Sequence, residues 1–540
     1  MEKIGDLYEA YIKEQMNFPD LAYFYNAIPR TYSDALDHAN SRPEIQINAV
    51  KMKKLKQILV EYHEKLGLLT SATRKNISKL DGGVVLAGQQ ATIFGGSGII
   101  GNKISAIVNV SDASKSKGRY LVPVFLINTH DSIQPEITTI HLPNNQSSIS
   151  KAINLPDAIE GVIANTITSD DYEWMAENLS IIKNIFSEFK SSVSKDKTKL
   201  FLEKVEHVIS FLRETYRSSS DLGEWVTLIW GIQANILNDW GVVFFPTSHP
   251  EIRKLSLDGY IPFLQLRSDY IEEFNKATKK IEDLGYKPTT AAKNGDYSPF
   301  FYKCPEDHYR ITLSCEEIED VLYFEGKCPI DKKEHSFSVN KNDIDFSVFS
   351  ENLYPRLDTN QALLQTIIPT YIRISGPGEI NYAAQVIPST RKLGFQFPLY
   401  VKYARMLYNT PWIEALGKDP TLSTYTILTP EFFSILGSLA KARRKSDKLF
   451  LVQKSRDLAN YVDNKRLEIK EVKDKPTSSI ERFKSWQFGM YDEKHQWQEV
   501  SWPWFVMAVV TGLTDNIASY RRFYSPDTPI GGIGFINSML

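Results

Sequence analysis

The stretch VVLAGQQATIFGGSGIIGNK, residues 84–103, decides the fold expected for this chain. It opens with the apolar run Val84 to Ala87, which is bounded by glycines and is typical of a buried parallel strand. A glycine-rich turn follows, and residues 102–110 have the length and the apolar spacing of a crossover helix. The stretch therefore predicts a strand that leads through a glycine turn into a helix.

A second apolar run, LVPVFLIN at residues 121–128, completes a strand-helix-strand unit over residues 84–128. Two later runs, GVVFF at 241–245 and YIRIS at 371–375, each precede a proline or glycine turn and repeat the pattern. Right-handed crossovers between parallel strands make a Rossmann-like, doubly wound α/β core the expected fold class. We expect this sheet to be assembled from segments that are distant in sequence.

The core is assigned to residues 81–410, with two segments that look inserted. Residues 150–235 are mostly charged and helical in pattern, and residues 290–345 contain short alternating strands. Residues 1–80 alternate apolar and charged positions at helical spacing, which predicts an N-terminal helical segment packed on the core. Residues 411–540 are expected to be a C-terminal helical region.

The C-terminal region contains a long basic helix, or a helical pair, beyond residue 430. Its apolar heptads are imperfect, so a coiled coil is one interpretation of it. The apolar stretch Trp502 to Leu513 is about twelve residues long, whereas a bilayer span needs about twenty. We interpret it as a buried segment of the protein.

Composition narrows the classes of partner. The chain has 63 Lys plus Arg against 65 Asp plus Glu, so no overall field favours nucleic acid or an anionic membrane surface. The N-terminal residues are charged throughout and lack the apolar core of a secretory signal. We therefore expect a cytoplasmic protein that acts on small molecules.

The glycine-rich turn is a candidate anion site. Backbone N–H groups and a helix N-terminus favour a phosphate or carboxylate, and glycines let a ligand approach closely. Residues 96–101 match G-x-G-x-x-G, but too far after the strand for a dinucleotide fingerprint, and Ile104 replaces the hydroxyl of a P-loop. A turn that only closes a strand-helix unit is the alternative. The residues assigned to this site are Gly88, Gln89, Gln90, Gly95, Gly96, Gly98 and Lys103.

Two further groups of polar residues follow predicted strands. His130 and Asp131 come after LVPVFLIN, where a histidine oriented by a carboxylate can act as a general acid or base. Ser248 follows GVVFF, although a turn alone explains it. After YIRIS, a glycine turn opens a helix, and helix capping with a solvated face is the alternative to a site wall. The residues assigned there are Gly376, Gly378, Glu379, Tyr382 and Gln385.

No metal ligand is assigned. Cys304, Cys315 and Cys328, with His308, would supply four zinc ligands, but no C-x-x-C pair is present. An odd number of cysteines also does not make a disulfide framework. Buried free thiols in a reducing compartment are the preferred interpretation.

These motifs together resemble the cysteine-adding enzymes of bacillithiol biosynthesis, the BshC family. That family carries G-Q-Q-A, Y-K-A-I-S, V-P-V-F and G-P-G-E-I-x-Y-x-A-Q motifs, matched here by residues 88–91, 102–106, 122–125 and 376–385. The order and approximate spacing agree across about residues 20–410.

The resemblance implies a Rossmann-like core with inserted connecting segments and a C-terminal coiled coil that makes a homodimer. It also implies addition of cysteine to glucosaminyl-malate with ATP and Mg²⁺. Within that reaction we assign Lys103, His130 and Asp131 as catalytic residues, with Lys103 contacting phosphate or carboxylate. After V-P-V-F, however, the family sequence is close to W-I-A-G-E-D-H-D-F-D-E. Of its acidic residues only Asp131 and Glu136 are present in register here, and Ser132 stands at the position of the family's histidine. A different acceptor, a binding protein without chemistry, and hydride transfer remain alternatives.

Overall fold

A computed structural model describes residues 7–8, 21–346, 350–472, 477–489 and 497–538. Its strands, numbered in chain order, are β1 Val84–Gln90, β2 Val122–Asn128, β3 Thr139–Leu142, β4 Lys151–Asn154, β5 Val243–Pro246, β6 Phe300–Lys303, β7 Arg310–Thr312, β8 Ser314–Ile318, β9 Val321–Lys327, β10 Glu334–Asn340, β11 Leu353–Pro355, β12 Thr370–Ser375, β13 Leu399–Lys402, β14 Arg405–Asn409 and β15 Ile533–Asn537.

Five parallel strands form the central sheet in the order β13-β12-β1-β2-β5. The chain builds β1, β2 and β5 outward in one direction and then returns to place β12 and β13 on the other side of β1. This is the strand order of a Rossmann fold, with the reversal between β1 and β12. The predicted α/β class and its four principal strands are confirmed.

Alternate side chains of the sheet enter two different cores, as expected for a sheet covered on both faces. Val84 and Leu86 of β1 pack into one core with the helix Ala49–Lys65. Val85 and Ala87 pack into the other, with the helix Ile99–Ser114, the crossover between β1 and β2. Helices on both faces make the sheet doubly wound.

Helices occur on both sides of the central strands in sequence and within the first inserted segment. The α-helices are Leu21–Phe24, Tyr32–Ser41, Ala49–Lys65, Ser71–Ser78, Ile99–Ser114, Pro135–Thr138, Tyr172–Glu188, Thr198–Arg217, Leu222–Gly231, Pro250–Ser256, Ile261–Gln265, Arg267–Asp283, Asn360–Gln365, Pro377–Lys392, Pro411–Gly417, Pro430–Arg444, Lys448–Glu471, Ser478–Phe488, Gln498–Ser501, Phe505–Thr511 and Leu513–Phe523. Shorter 3-10 turns and one π-helical segment, Ile232–Ile236, connect them.

The basic stretch beyond residue 430 forms a helical pair, Pro430–Arg444 and Lys448–Glu471, whose connection includes Ser446 in the left-handed region with φ 53°. The coiled-coil homodimer implied by the resemblance stays a prediction. Within the described ranges, no helix is long and apolar enough to cross a membrane.

The tryptophan-rich C-terminal stretch is part of the main core. Trp502 and Trp504 are fully buried, and the predicted buried segment continues as the helix Phe505–Thr511. β15 pairs in parallel with β14, which directly follows the central sheet in sequence. The C-terminal region is therefore packed into the Rossmann-like core.

Candidate functional site

A cavity of about 1170 Å³ lies at the carboxyl edge of the central sheet, where the strand order reverses. Ligands of open α/β sheets bind at such reversals, because the crossovers on either side diverge and leave a crevice. The ends of β1 and β2 and the turn after β12 line it, together with the second inserted segment. The predicted residues that line the cavity are Gly88, Gln89, Gln90, Lys103, His130, Asp131, Gly376, Gly378, Glu379 and Tyr382.

Lys103 joins β1 to the helix after β12. Its side chain is 2% exposed, and its Nζ donates to the Gly88 carbonyl at 2.9 Å, to Gln89 Oε1 at 3.1 Å and to Glu379 Oε2 at 2.7 Å. These three contacts use the three donors of an ammonium group. A phosphate contact by Lys103, as the sequence suggested, would require one of these partners to be exchanged.

Glu379 lies between two cations. Its Oε1 accepts from Arg373 Nη2 at 3.3 Å, and its Oε2 also accepts from the Gly376 N–H at 2.8 Å, as the predicted helix cap requires. Burial acts to raise the pKa of Glu379, but Lys103 and Arg373 outweigh it and hold that pKa below its usual value. The carboxylate therefore stays ionised in a buried position.

Arg373 is a site residue that the motif analysis missed. It lies in the buried strand β12, is 3% exposed, and donates to Gln361 Oε1 as well as to Glu379. The available signal was an arginine inside the otherwise apolar run YIRIS, because a charge is rarely buried without a partner.

His130 is buried, and its protonation state follows from its contacts. Thr247 Oγ1 donates to the Ile127 carbonyl at 2.9 Å, so at 2.6 Å it accepts from His130 Nδ1–H. Nε2 then carries the free lone pair, 3.8 Å from Asp131 Oδ1. Burial is the main cause that lowers the pKa of His130, which leaves a neutral imidazole near pH 7.

The second inserted segment and the loop after β11 supply cations that no motif indicated. The guanidinium carbons of Arg310 and Arg356 lie 4.4 Å and 4.7 Å from the centroid of the Phe301 ring. Arg310 also lies 3.6 Å from Asp131 Oδ1, and Lys293 pairs with buried Asp358 at 2.5 Å. These residues approach the cavity only through folding of segments distant from β1 in sequence.

Protein side chains fill the space beside Gly95 and Gly98 in the glycine turn. A Cβ at Gly95 would lie 2.9 Å from Ile229 and from the Trp504 indole, and one at Gly98 would collide with the hydroxyls of Tyr408 and Tyr520. The glycines at these two positions make room for protein side chains. Gly96, with φ 69°, lines a separate small cavity beside Gln89 and Gln90.

Two indole N–H groups donate hydrogen bonds to backbone carbonyls of this turn. Trp230 Nε1 donates to the Gly95 carbonyl at 2.9 Å, and Trp504 Nε1 donates to the Phe94 carbonyl at 2.8 Å. Phe94 has φ 56°, an uncommon conformation for a residue with a side chain. Trp230 and Trp504 thus satisfy two carbonyls of the turn, and the ligand role assigned to the turn from the sequence stays a prediction.

Two other predicted residues lie outside the main cavity. Gln385 is fully buried, and its amide bonds Thr278 Oγ1 at 2.7 Å and the Thr290 carbonyl at 2.9 Å, so it positions a lining residue. Ser248 bonds Thr129 Oγ1 at 2.5 Å and borders a second cavity of about 630 Å³ on the β5 side.

The main cavity fits a polar, anionic ligand. Asn128 Oδ1 and Arg373 Nε are buried and have no hydrogen-bond partner within the described part of the chain. Arg310 and Arg356 suit carboxylate or phosphate oxygens. Asp131, Asp296 and Glu325 also line the cavity, but within the described residues they are not close enough together to form one metal site, so Mg²⁺ would be held by one of them together with phosphate oxygens. The donor set is therefore compatible with a nucleotide and Mg²⁺.

The sequence is similar to that of a known family and to those of several named proteins. The family described as "Bacillithiol biosynthesis BshC, N-terminal Rossmann-like domain" matches residues 1–403. Proteins named "Putative cysteine ligase BshC" are 24% identical over 357 residues in Bacillus cereus (strain AH187) and in Bacillus thuringiensis, and 26% identical over 360 residues in Bacillus cereus (strain G9842). Each match covers 65% of this chain and 60% of the relative. The match to the family over residues 1–403 shows that the chain belongs to the BshC family of bacillithiol biosynthesis.

Proposed function

We propose that this chain is a carbon–nitrogen ligase that adds cysteine to an amino-sugar conjugate, glucosaminyl-malate or a related acceptor, in the biosynthesis of a bacillithiol-type thiol. The observation that carries the proposal is the cavity at the strand-order reversal, where two family motifs meet buried ionic side chains. The family description supports the pathway, and the relatives' name supports cysteine ligation.

Arg310 and Arg356 line one part of the cavity, and their positive charges suit the carboxylates of the acceptor. Arg310 and Arg356 both pack on Phe301, which limits their freedom before a ligand arrives. A guanidinium group binds a carboxylate through two parallel hydrogen bonds, so the pair suits a dicarboxylate such as malate. We assign acceptor binding to these two arginines.

ATP with Mg²⁺, when bound, supplies the activation of the cysteine carboxyl group for amide formation. Arg373 lines the cavity, its buried Nε has no hydrogen-bond partner among the described residues, and its guanidinium would hold phosphate oxygens. One cavity carboxylate, such as Asp131, would hold Mg²⁺ together with those phosphates. Lys103 and Glu379 fix the position of Arg373 relative to β1.

His130 is assigned to proton transfer. Its Nδ1–H is held by Thr247, so its Nε2 is the basic atom. As the acceptor amine forms its bond to the activated carbonyl carbon of cysteine, the phosphate or AMP on that carbon leaves with the electrons of its C–O bond. The amine loses a proton in the same step, and Nε2 takes it. Asp131 then stabilises the imidazolium, because its carboxylate lies 3.8 Å from Nε2.

Mass spectrometry tests the proposal directly. The full-length protein is incubated with ATP, Mg²⁺, cysteine and glucosaminyl-malate, and the products are examined for the cysteinyl adduct and for ADP or AMP. We expect the adduct together with one of these nucleotides. Folded protein that makes no adduct, beside an active family member assayed in parallel, would contradict the ligase and favour a binding role.

A further inference from the structure

Two turns in the second inserted segment repeat one short motif. Residues 304–309 read Cys-Pro-Glu-Asp-His-Tyr, and residues 328–333 read Cys-Pro-Ile-Asp-Lys-Lys. Each begins directly after a strand, β6 in the first case and β9 in the second. The shared element is Cys-Pro-x-Asp, so the two turns place equivalent donor atoms at equivalent positions.

The backbone of the two turns is also equivalent. In each, the cysteine N–H donates to the carbonyl five residues later, and the N–H four residues later donates back to the cysteine carbonyl. The residue at that fourth position, His308 or Lys332, has a positive φ of 61° or 65°. Both turns therefore have the same hydrogen-bonded conformation.

Backbone N–H groups point at both sulfur atoms. Those of Glu306 and Asp307 donate to Cys304 Sγ, and those of Ile330 and Asp331 donate to Cys328 Sγ. Without a metal, burial and the neighbouring aspartates outweigh these bonds and raise the pKa of both thiols, so a bound cation would have to displace the thiol protons. Two N–H donors on a sulfur stabilise negative charge there, which is the state in which cysteine binds a metal.

The two turns face each other. Ligand atoms of Cys304, Asp307, Cys328 and Asp331 all lie within 4.8 Å of one another. Cys328 Sγ is 3.0 Å from Asp307 Oδ2, and Cys304 Sγ is 3.6 Å from Asp331 Oδ2. A tetrahedral zinc with Zn–S of about 2.3 Å and Zn–O of about 2.1 Å separates its S and O ligands by about 3.6 Å.

We propose that Cys304, Asp307, Cys328 and Asp331 form a structural zinc site. Two thiolates favour a soft or borderline metal over Mg²⁺ or Ca²⁺, and four ligands in a compact group suit tetrahedral zinc. The zinc ligands considered from the sequence included Cys315 and His308, which are not in this group. Aspartates at the third position after each cysteine take their places.

The site has a structural task. It joins the end of β6 to the end of β9, and so connects the sheet β11-β6-β7 to the sheet β10-β9-β8. The strands of the segment share one core with helices from elsewhere in the chain, and a metal between the two turns would fix their ends relative to each other. Phe301, Arg310 and Glu325 of this segment line the main cavity, so the zinc would hold one of its walls.

Metal analysis of the purified full-length protein is the first test. We expect about one zinc per chain by inductively coupled plasma mass spectrometry, and loss of most of it in Cys328→Ser. Cys315→Ser is the matched control, because Cys315 is also a buried cysteine of the same segment, and it should retain the metal. Wild type without stoichiometric zinc or with a Cys304–Cys328 disulfide, or a Cys328→Ser variant with unchanged zinc, would overturn the proposal.

A gain-of-ligand variant guards against loss of folding in Cys328→Ser. Asp307→Cys converts the first turn to Cys-Pro-x-Cys and raises the thiolates from two to three. After cobalt exchange, the sulfur-to-cobalt charge-transfer band should grow about 1.5-fold over wild type, and the metal should resist chelators longer. An unchanged band would show that Asp307 does not contact the metal and would also overturn the proposal.

Discussion

At the scale of single residues, the candidate site depends on one carboxylate between two buried cations. Lys103 and Arg373 come from the crossover helix and from β12, and Glu379 is their shared partner. Buried charges persist in proteins only where they are paired and hydrogen-bonded. Loss of any one of these three groups would therefore leave a buried charge without its partner at the point where ligand chemistry is expected.

Glu379→Gln should destabilise the protein, because it leaves Lys103 and Arg373 without their counter-charge. Removing one partner of a buried pair costs about 3–5 kcal/mol, and the 22% exposure of the Glu379 side chain reduces the expectation to about 2–3 kcal/mol. Urea unfolding monitored by circular dichroism measures the change. The double variant Lys103→Met/Glu379→Gln should lose less unfolding free energy than the two single variants lose in sum. Strictly additive losses would contradict the pairing.

His130→Gln tests the assignment of the proton acceptor. We expect ligation to fall about a hundredfold or more, while His207→Gln, an exposed histidine on the helix Thr198–Arg217, stays at the wild-type rate. Because burial lowers the pKa of His130, the wild-type rate should persist below pH 6.5 and fall only at more acidic pH. A wild-type rate that falls with a midpoint at or above pH 6.5 would argue against His130 as the base.

At the scale of secondary-structure elements, a buried histidine joins a helix to the sheet. His63, on the helix Ala49–Lys65, bonds the Leu59 carbonyl through Nδ1 at 2.7 Å and accepts the Phe244 N–H of β5 through Nε2 at 3.0 Å. The contact at Nε2 requires the neutral imidazole, because a protonated Nε2 cannot accept the Phe244 N–H, and burial lowers the pKa of His63 to about 4.

This histidine should make the fold sensitive to acid. In the unfolded chain His63 binds a proton near pH 6.5, whereas the folded chain binds it only near pH 4. The contribution of neutral His63 to the free energy of unfolding is therefore complete above pH 6.5. It is lost as the pH falls toward 4, by at most about 3 kcal/mol. Unfolding free energies of His63→Gln should vary less steeply with pH across this window than those of wild type, with His207→Gln as the control. Parallel curves for wild type and His63→Gln would refute the role.

At the scale of the whole molecule, the region matched by the family cannot be separated from the rest. Trp504 donates to the turn after β1, and β15 pairs with β14 immediately after the matched residues 1–403. We expect a fragment of residues 1–403 to lack the cooperative unfolding transition of the full chain, because it exposes the apolar surface that Trp502 and Trp504 cover. Calorimetry of the fragment and the full chain measures this, and a sharp transition in the fragment would refute it.

The sequence predicts the local elements of the fold well and the site only in part. Apolar runs such as 84–87 and 121–128 identify their strands, because a strand buried on both faces needs continuous apolar residues. Arg310 and Arg356 have no such pattern, since their position on Phe301 is produced by tertiary packing. For Gly95 and Gly98, a ligand turn and a turn that accommodates aromatic side chains require the same small residue.

The bond between Trp504 and the Phe94 carbonyl has a consequence for synthesis on the ribosome. Its two residues are 410 positions apart in the chain. At about 5–20 residues per second, the indole is synthesised about 20–80 s after the carbonyl that it must meet. The turn beside the candidate site is thus completed late in translation, long after β1 has been made, and a nascent chain has to keep β1 from pairing with other strands during that interval.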